Sequence, residues 1–404
     1  MKKDSLSACF LVWTSVFFRA TNQRNTSCEE IMKRIAFLDY LRAIAIFMVF
    51  IVHSCENFYF GEDGGLLLQS PESARWTIGI DSAARACVPL FVMASSYLLF
   101  PITRTTGDFL RRRILRVGIP FVLWCCVYTI LNHGEWGRML FNFPMTAGGH
   151  LWFVPMLIGV YLLMPLLSPW AERVSKAELR GWIILWLFTT TIPFIRQLFS
   201  GVYGNGWGHM FGESNLDAIP FLFGECAWNT FGAFHYVTGF IGYILLGLWF
   251  CKFAPEYSWK KTLAFAIPLL LVGYAIVAGW FYSHIPDGSG YPVTAPYSCV
   301  VELETSWEYC SLGVAMMVIG YFLVFRKLSS EGKFYQFVVR PFSEASFGMY
   351  LIHMIFLGYI CGWLSERVGT GCAIIGTAVA TYLVAFLIAY PLHKIPKLGK
   401  WIAG

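Results

Sequence analysis

Ten stretches of this chain stay apolar over the length that crosses a bilayer, and no other feature constrains its fold as strongly. A run of about 17–25 apolar residues spans hydrocarbon as a helix, because only a helix satisfies its own backbone N–H and C=O groups there. The stretches are Ile35–Ser54, Ala83–Phe100, Ile114–Leu131, Leu151–Pro169, Gly181–Phe199, Ala233–Cys251, Thr262–Tyr282, Trp307–Phe325, Ala345–Leu364 and Gly371–Leu392. They predict an all-α fold, a polytopic membrane helical bundle of about ten transmembrane helices. Charged residues make up only 13% of the chain, against about 25% in soluble proteins. That is too little charge to cover a water-facing surface. A soluble enzyme, a disordered chain and a disulfide-stapled secreted domain are therefore excluded.

The basic residues supply a topology. If residue 32 onward begins in the cytoplasm, twenty of the 30 Lys and Arg fall on that side and five, Arg75, Arg85, Arg138, Arg196 and Arg367, on the other. Basic residues are retained in cytoplasmic loops, so the alternation predicts ten crossings, both termini in the cytoplasm and a multi-pass protein of the plasma (inner) membrane. On such a chain the net charge of +6 reflects topology and does not imply nucleic acid. Residues 1–31 carry a basic start and a short apolar run, Ala8–Phe18, too short to span. They are expected to be an extension of uncertain status before a single membrane-embedded domain, 32–404. The 12 cysteines show no CxxC pair and no metal-like spacing, so no metal is expected. Cys226, Cys299 and Cys310, in or near the predicted outer loops, are candidates for a disulfide.

The first helix carries the chemistry. Asp39, Arg42 and His53 are ionisable groups at membrane depth, where charge is expensive and is kept for function. Arg42 and His53 are 11 positions apart, ~1100° of rotation, so both project from one face, ~16 Å apart along the axis. Asp39, three residues before Arg42, can pair with it on that face. The plainer alternative is a structural ion pair with a core histidine. Orienting Arg42 is the simpler role for Asp39.

At this point the sequence resembles a known family. Asp39-x-x-Arg42 with Arg42-x(10)-His53 resembles the opening signature of the acyltransferase 3 family of integral membrane acyltransferases. Val88-Pro89-Leu90-Phe91 through Ser95-Ser96-Tyr97-Leu98-Leu99 is similar to that family's second-helix motif. Arg113-x-x-Arg116-x-x-x-Pro120 is similar to its basic third-helix start, His150-Leu151-Trp152-Phe153 to its fourth, and Ser346-Phe347-Gly348-x-Tyr350-x-x-His353 to a late helix. The order is kept over about residues 35–360. One departure is Ser96, where relatives usually carry Gly; a glycine there lets helix backbones approach closely.

The resemblance implies transfer of an acyl group, commonly acetyl from acetyl-CoA, to a hydroxyl of a cell-surface polysaccharide or glycolipid. The residues allow that chemistry on their own terms. A sugar hydroxyl is a poor nucleophile at neutral pH, and a neutral imidazole is a suitable base for it. His53 is thus expected as base or as acyl carrier. CoA is polyanionic and cytoplasmic, so Arg42, Arg112, Arg113 and Arg116 are candidates for its phosphates, guanidinium forks suiting phosphate oxygens. The alternative for the last three is plain positive-inside topology. His150 is a candidate to orient the acceptor or move a proton, with an interfacial histidine as the alternative. For His353 and Tyr350 a hydrogen-bonded core pair is expected. Glu302, Glu304 and Glu308 form an acidic cluster suited to sugar hydroxyls or simply to solvation, and Trp207, Trp228 and Tyr291 are candidates to stack on sugar rings.

Other chemistries find no support: the chain has no GxSxG elbow, no Walker loop and no HExxH. Gly204, Gly206 and Gly208 follow no strand and are expected in a flexible turn. The competing function class is a transporter or flippase for a glycan, which ten helices and intramembrane charges also suit. Against it, no repeat symmetry of broken helices is visible. Within the same family, N-acylation or transfer of a longer acyl chain remains a third reading.

Overall fold

The computed structural model describes residues 35–61, 64–137, 148–203, 231–286, 290–396 and 398–404. The extension 1–31 lies outside these residues, as do Gly204, Gly206, Trp207, Gly208, Cys226 and Trp228. The fold is all-α with one short ribbon. In chain order come α1 (Ala36–Glu56), β1 (Leu66–Leu68), α2 (Pro71–Ala84), α3 (Cys87–Leu99), α4 (Thr106–Leu131) and α5 (Phe153–Arg173). A single 3-10 turn, Gly149–Trp152, leads into α5. Then follow α6 (Lys176–Thr189), α7 (Ile192–Tyr203), α8 (Ile241–Lys252), α9 (Trp259–Ser283), β2 (Val293–Ala295), α10 (Tyr297–Leu303) and α11 (Leu312–Phe325). A π turn, Tyr335–Val339, precedes α12 (Arg340–Ile352), and the chain ends in α13 (Met354–Ser365), α14 (Thr370–Lys394) and the short α15 (Gly399–Ile402).

Local signals start several of these helices. Ser70, Thr105, Ser175 and Ser258 each sit at an N-cap in extended conformation and accept from the backbone N–H three residues on. Such a cap satisfies one of the donors a helix start leaves open.

Every one of the ten apolar stretches is largely helical, but not every one is a long helix. Among the described residues six helices are long and apolar enough to cross a bilayer, or seven if the bent pair α12–α13 is one span. The stretch expected at 181–199 is broken between α6 and α7 at Thr190 and Thr191. Those at 233–251 and 307–325 contract to α8 and α11, of 12 and 14 residues. Such helices rise only ~18–21 Å, short of a hydrocarbon core of about 30 Å. Length and composition thus support six or seven crossings; the count of ten rests on the apolar stretches and the charge alternation together.

Small residues set the closest helix contacts. A Cβ added to Gly273 of α9 would lie 2.6 Å from the Gly313 carbonyl oxygen of α11, so these backbones meet where no side chain intervenes. The departure at Ser96 has a local answer. A Cβ on Gly247 of α8 would lie 2.6 Å from Ser96 Cβ, and Ser96 Oγ donates to the Ile244 carbonyl at 2.6 Å. The glycine that allows close approach stands on α8, opposite the serine, and the hydroxyl finds a buried acceptor.

The ribbon pairs β1 with β2 antiparallel, Leu66 opposite Ala295 and Leu68 opposite Val293. It ties the segment after α1 to the segment before α10. Across that tie Tyr59 donates its hydroxyl to Glu304 at 2.7 Å. Phe281 and Trp307 stack beneath it at 4.1 Å between ring centres.

One expectation changes here. Cys299 and Cys310 are free thiols, so they form no disulfide. The expected hydrogen-bonded core pair is present: both residues are buried and His353 Nδ1 meets the Tyr350 carbonyl at 2.7 Å, while the Tyr350 hydroxyl donates to the His150 carbonyl. The chain bends by 80° between α12 and α13, with His353 at the corner. An imidazole inserted at a ladder carbonyl is a recognised cause of such a kink.

Candidate active site

The last turn of α1 places His53 against its own helix. His53 Nδ1 lies 2.9 Å from Glu56 Oε2, the (i, i+3) spacing that puts two side chains on one face. An ionised carboxylate only accepts hydrogen bonds, so Nδ1 is the donor, and in the neutral ring Nε2 carries the free lone pair. Around it stand two further imidazoles. The His53 and His353 ring centres are 5.1 Å apart, His150 and His353 5.2 Å, and His53 and His150 6.4 Å. Phe50 stacks on His353 at 4.6 Å, and the Nε2 atoms of His150 and His353 are buried without a hydrogen-bond partner among the described residues. No group of three or more His, Cys, Asp or Glu among the described residues is placed to hold a metal ion.

Two cavities meet at His53, and another adjoins one of them at Arg116. The first, about 220 Å³, is lined by Arg42, Arg113 and Arg116 and by His53 and His150. Arg42 and His53 thus share one cavity, as their spacing predicts. Its walls are apolar between the charges, with Ile46, Val49 and Val52 of α1 facing Phe91, Phe153 and Tyr350. Its one carboxylate among the described residues, Glu344, is already paired with Lys394 at 2.8 Å and Arg340 at 3.0 Å.

A second cavity, about 760 Å³, opens beside the basic end. Arg111, Arg112, Arg116 and Lys394 line it. Arg116 borders both. Arg112 lines only the second, so it stands away from the imidazoles while Arg113 faces the space that reaches them.

The third cavity, about 380 Å³, lies on the other side of His53 and is lined by Glu56, Arg85, Glu304 and Glu308. His53, Trp152 and Tyr309 border both it and the first cavity. The Arg85 guanidinium sits 4.3 Å over the Trp307 ring, and its Nε and Nη2 both donate to the Asp81 carboxylate. Burial pushes the Glu304 carboxyl above its ordinary range, with Arg85 and the Tyr59 hydroxyl pulling the other way.

Asp39 pairs with Arg42 as the spacing predicts and has two further partners. Its oxygens accept from Tyr335 and Ser343, each at 2.6 Å, while Arg42 Nη1 stands 4.0 Å away. The carboxylate therefore also joins α1 to the π turn and to the start of α12. Glu302 and Tyr291 line none of these cavities; the Glu302 carbonyl accepts from Gln197.

Sequence reasoning missed Glu56, Arg85 with Asp81, and the place of His353 beside His53 and His150. Glu56 was legible as the next acid one turn after His53. Asp81 and Arg85 are an (i, i+4) ion pair at the edge of a span that begins earlier than its apolar core. His353 was legible as part of the late-helix motif but not as a neighbour of His53, because only the bend delivers it there.

The family described as an acyltransferase domain, Acyl_transf_3, matches residues 35–390. No curated protein and no solved structure matches the chain.

Proposed function

This chain belongs to the acyltransferase 3 family, a family of membrane acyltransferases, and on that premise we propose that it transfers acetyl from acetyl-CoA to a hydroxyl of a cell-surface polysaccharide or glycolipid at the plasma membrane. The observation that carries this reading is the cavity joining Arg42, Arg113 and Arg116 to His53. Cations at one end suit the phosphates of CoA, and an imidazole at the other suits work on a thioester. The pantetheine arm, slender and largely uncharged, fits the apolar walls between them. Arg112 and Arg111, which line the adjoining cavity with Lys394, are proposed to take the remaining phosphate charge. Guanidinium groups hold phosphate oxygens through paired donors.

His53 is the proposed base. Its Nε2 removes the proton of the sugar hydroxyl, and the oxygen attacks the thioester carbonyl. The carbon–sulfur bond breaks, and the proton held on His53 passes to the departing CoA thiolate. Acetyl ester and free CoA thiol result, with no net proton change. Glu56 holds the imidazole in the required tautomer and stabilises it while it carries the proton, as an orienting carboxylate does for any general base. If His53 instead takes the acetyl first, the same Nε2 attacks the thioester and the sugar then attacks the acyl-imidazole. A burst of one acetyl per chain without acceptor separates the two routes.

His150, bordering the same cavity, is proposed to position the acceptor or the thioester oxygen. The direct test of the function is the mass of surface glycans from cells with and without the gene. Acetyl esters present only with the gene support the reading; identical spectra remove it.

A further inference from the structure

The basic cavity and the acidic cavity meet at His53 but carry opposite charge. The acidic one is within the size range of small-molecule sites, about 300–1,000 Å³, at 380 Å³. Among the described residues that line it, the one guanidinium is Arg85, and both of the Asp81 oxygens are already engaged by it. The groups left facing the space are carboxylates. Glu304 holds the Tyr59 hydroxyl, Glu308 is exposed, and Glu56 lies against His53. Trp152, stacked on Tyr309 at 5.4 Å between centres, gives the cavity an aromatic wall shared with the basic side.

We infer that the acceptor drawn to this cavity is a pyranose without an anionic substituent, a neutral or amino-bearing sugar, and that uronates, sulfated sugars and phosphorylated sugars are rejected there. The inference rests on the transferase reading above and adds the acceptor's charge class. Carboxylates accept hydrogen bonds from hydroxyl and ammonium groups and offer nothing to another anion. An anionic substituent a few ångströms from Glu304 or Glu308 meets like charge, while among the described residues lining the cavity the one guanidinium is already paired with the Asp81 carboxylate. Two charge signs on either side of one imidazole thus sort the substrates: the polyanionic donor to one side, the uncharged acceptor to the other.

The test uses membranes holding the full chain, acetyl-CoA, and two probes that differ only at one carbon, methyl β-glucopyranoside and methyl β-glucuronoside. Release of CoA thiol above the level in His53→Ala membranes is recorded, together with acetyl ester on each glycoside. The expected result is a kcat/KM for the neutral glycoside about tenfold or more above that for the uronoside. Glu304→Gln with Glu308→Gln narrows that ratio, and Glu308→Gln alone, at an exposed position, narrows it in the same direction. Equal or preferred use of the uronoside overturns the inference. So does a ratio that neither variant moves, and so does His53-dependent thiol release that neither glycoside stimulates. Absence of any His53-dependent thiol release is the distinct failure of the transferase reading itself.

Discussion

His53 Nδ1 and Glu56 Oε2 stand 2.9 Å apart on the last turn of one helix, and this contact decides which ring nitrogen is free for chemistry. Replacing Glu56 by Gln keeps the size of the partner but removes its charge and its purely accepting character. An amide can donate to Nδ1 and reverse the tautomer. The expected result is a loss of ~10²-fold in kcat with little change in the KM for acetyl-CoA. Glu56→Asp, which restores the charge, should recover part of it. A variant that raises KM alone would show that Glu56 binds substrate and does not act through His53.

Arg113 and Arg116 should behave in the opposite sense. Both line the cavity that reaches His53, and neither is close to the imidazoles by contact. Truncation to Ala is expected to raise the KM for acetyl-CoA by ~10-fold or more, the scale of a charge-assisted bond of ~1.5–3 kcal/mol, and to leave kcat largely intact. Arg112→Ala, confined to the neighbouring cavity, should have a smaller effect. Steady-state kinetics over a range of donor concentrations reads the difference.

Asp39 predicts a stability effect. Its carboxylate is 2% exposed and accepts from two hydroxyls on the far side of the sequence. Asp39→Ala removes the buried acceptor of both hydroxyls, at ~1–3 kcal/mol for a buried bond left unmade. A markedly lower melting temperature in detergent is expected, with a milder drop for Asp39→Asn. Unchanged melting of Asp39→Ala would contradict the placement of Asp39 as a tie between α1 and α12.

The contact between Ser96 and Gly247 makes a paired prediction. Gly247→Ala drives a methyl group to 2.6 Å from Ser96 Cβ and 2.8 Å from the Met93 carbonyl oxygen, and overpacking of this kind costs ~1–3 kcal/mol. Adding Ser96→Gly to Gly247→Ala should recover part of the loss, a coupling that a double-mutant cycle on thermal stability measures. Strict additivity would mean the two positions do not share the crowding.

Glu304 gives a pH dependence. Burial raises its carboxyl, Arg85 and the Tyr59 hydroxyl oppose the rise, and Glu56 adds to it. A folded-state pKa above the unfolded one means the folded chain holds this proton more tightly. Its contribution to stability is therefore full below the ordinary glutamate range and is lost as pH rises through the raised value. Glu304→Gln mimics the protonated carboxyl. The variant should gain on the wild type in melting temperature as pH increases through that window. A gap between the two that does not change with pH would contradict the burial of this carboxyl.

How much of this was legible in the sequence depended on distance along the chain. The Arg42–His53 stripe could be read because both residues share one helix, where 3.6 residues per turn fixes their faces. The partners of Asp39 could not, since Tyr335 and Ser343 lie about 300 residues away and only packing brings them in. The alternation of basic residues predicts sides for the loops and says nothing of the length of the helices, so the break at Thr190 and the short α8 and α11 were invisible. His353 was read as core, and it is wholly buried; its position beside His53 follows from an 80° bend that no proline or glycine announces. Ser96 looked like a departure because the compensating glycine stands on another helix.

The most direct measurement is acetyl transfer from labelled acetyl-CoA to surface glycan in membranes carrying the wild-type chain or His53→Ala, with equal protein in each. Transfer by the wild type and a fall of ~10²-fold or more in the variant is the expected result. Undiminished transfer with His53→Ala would contradict the central claim that this imidazole, set where the two cavities meet, performs the reaction.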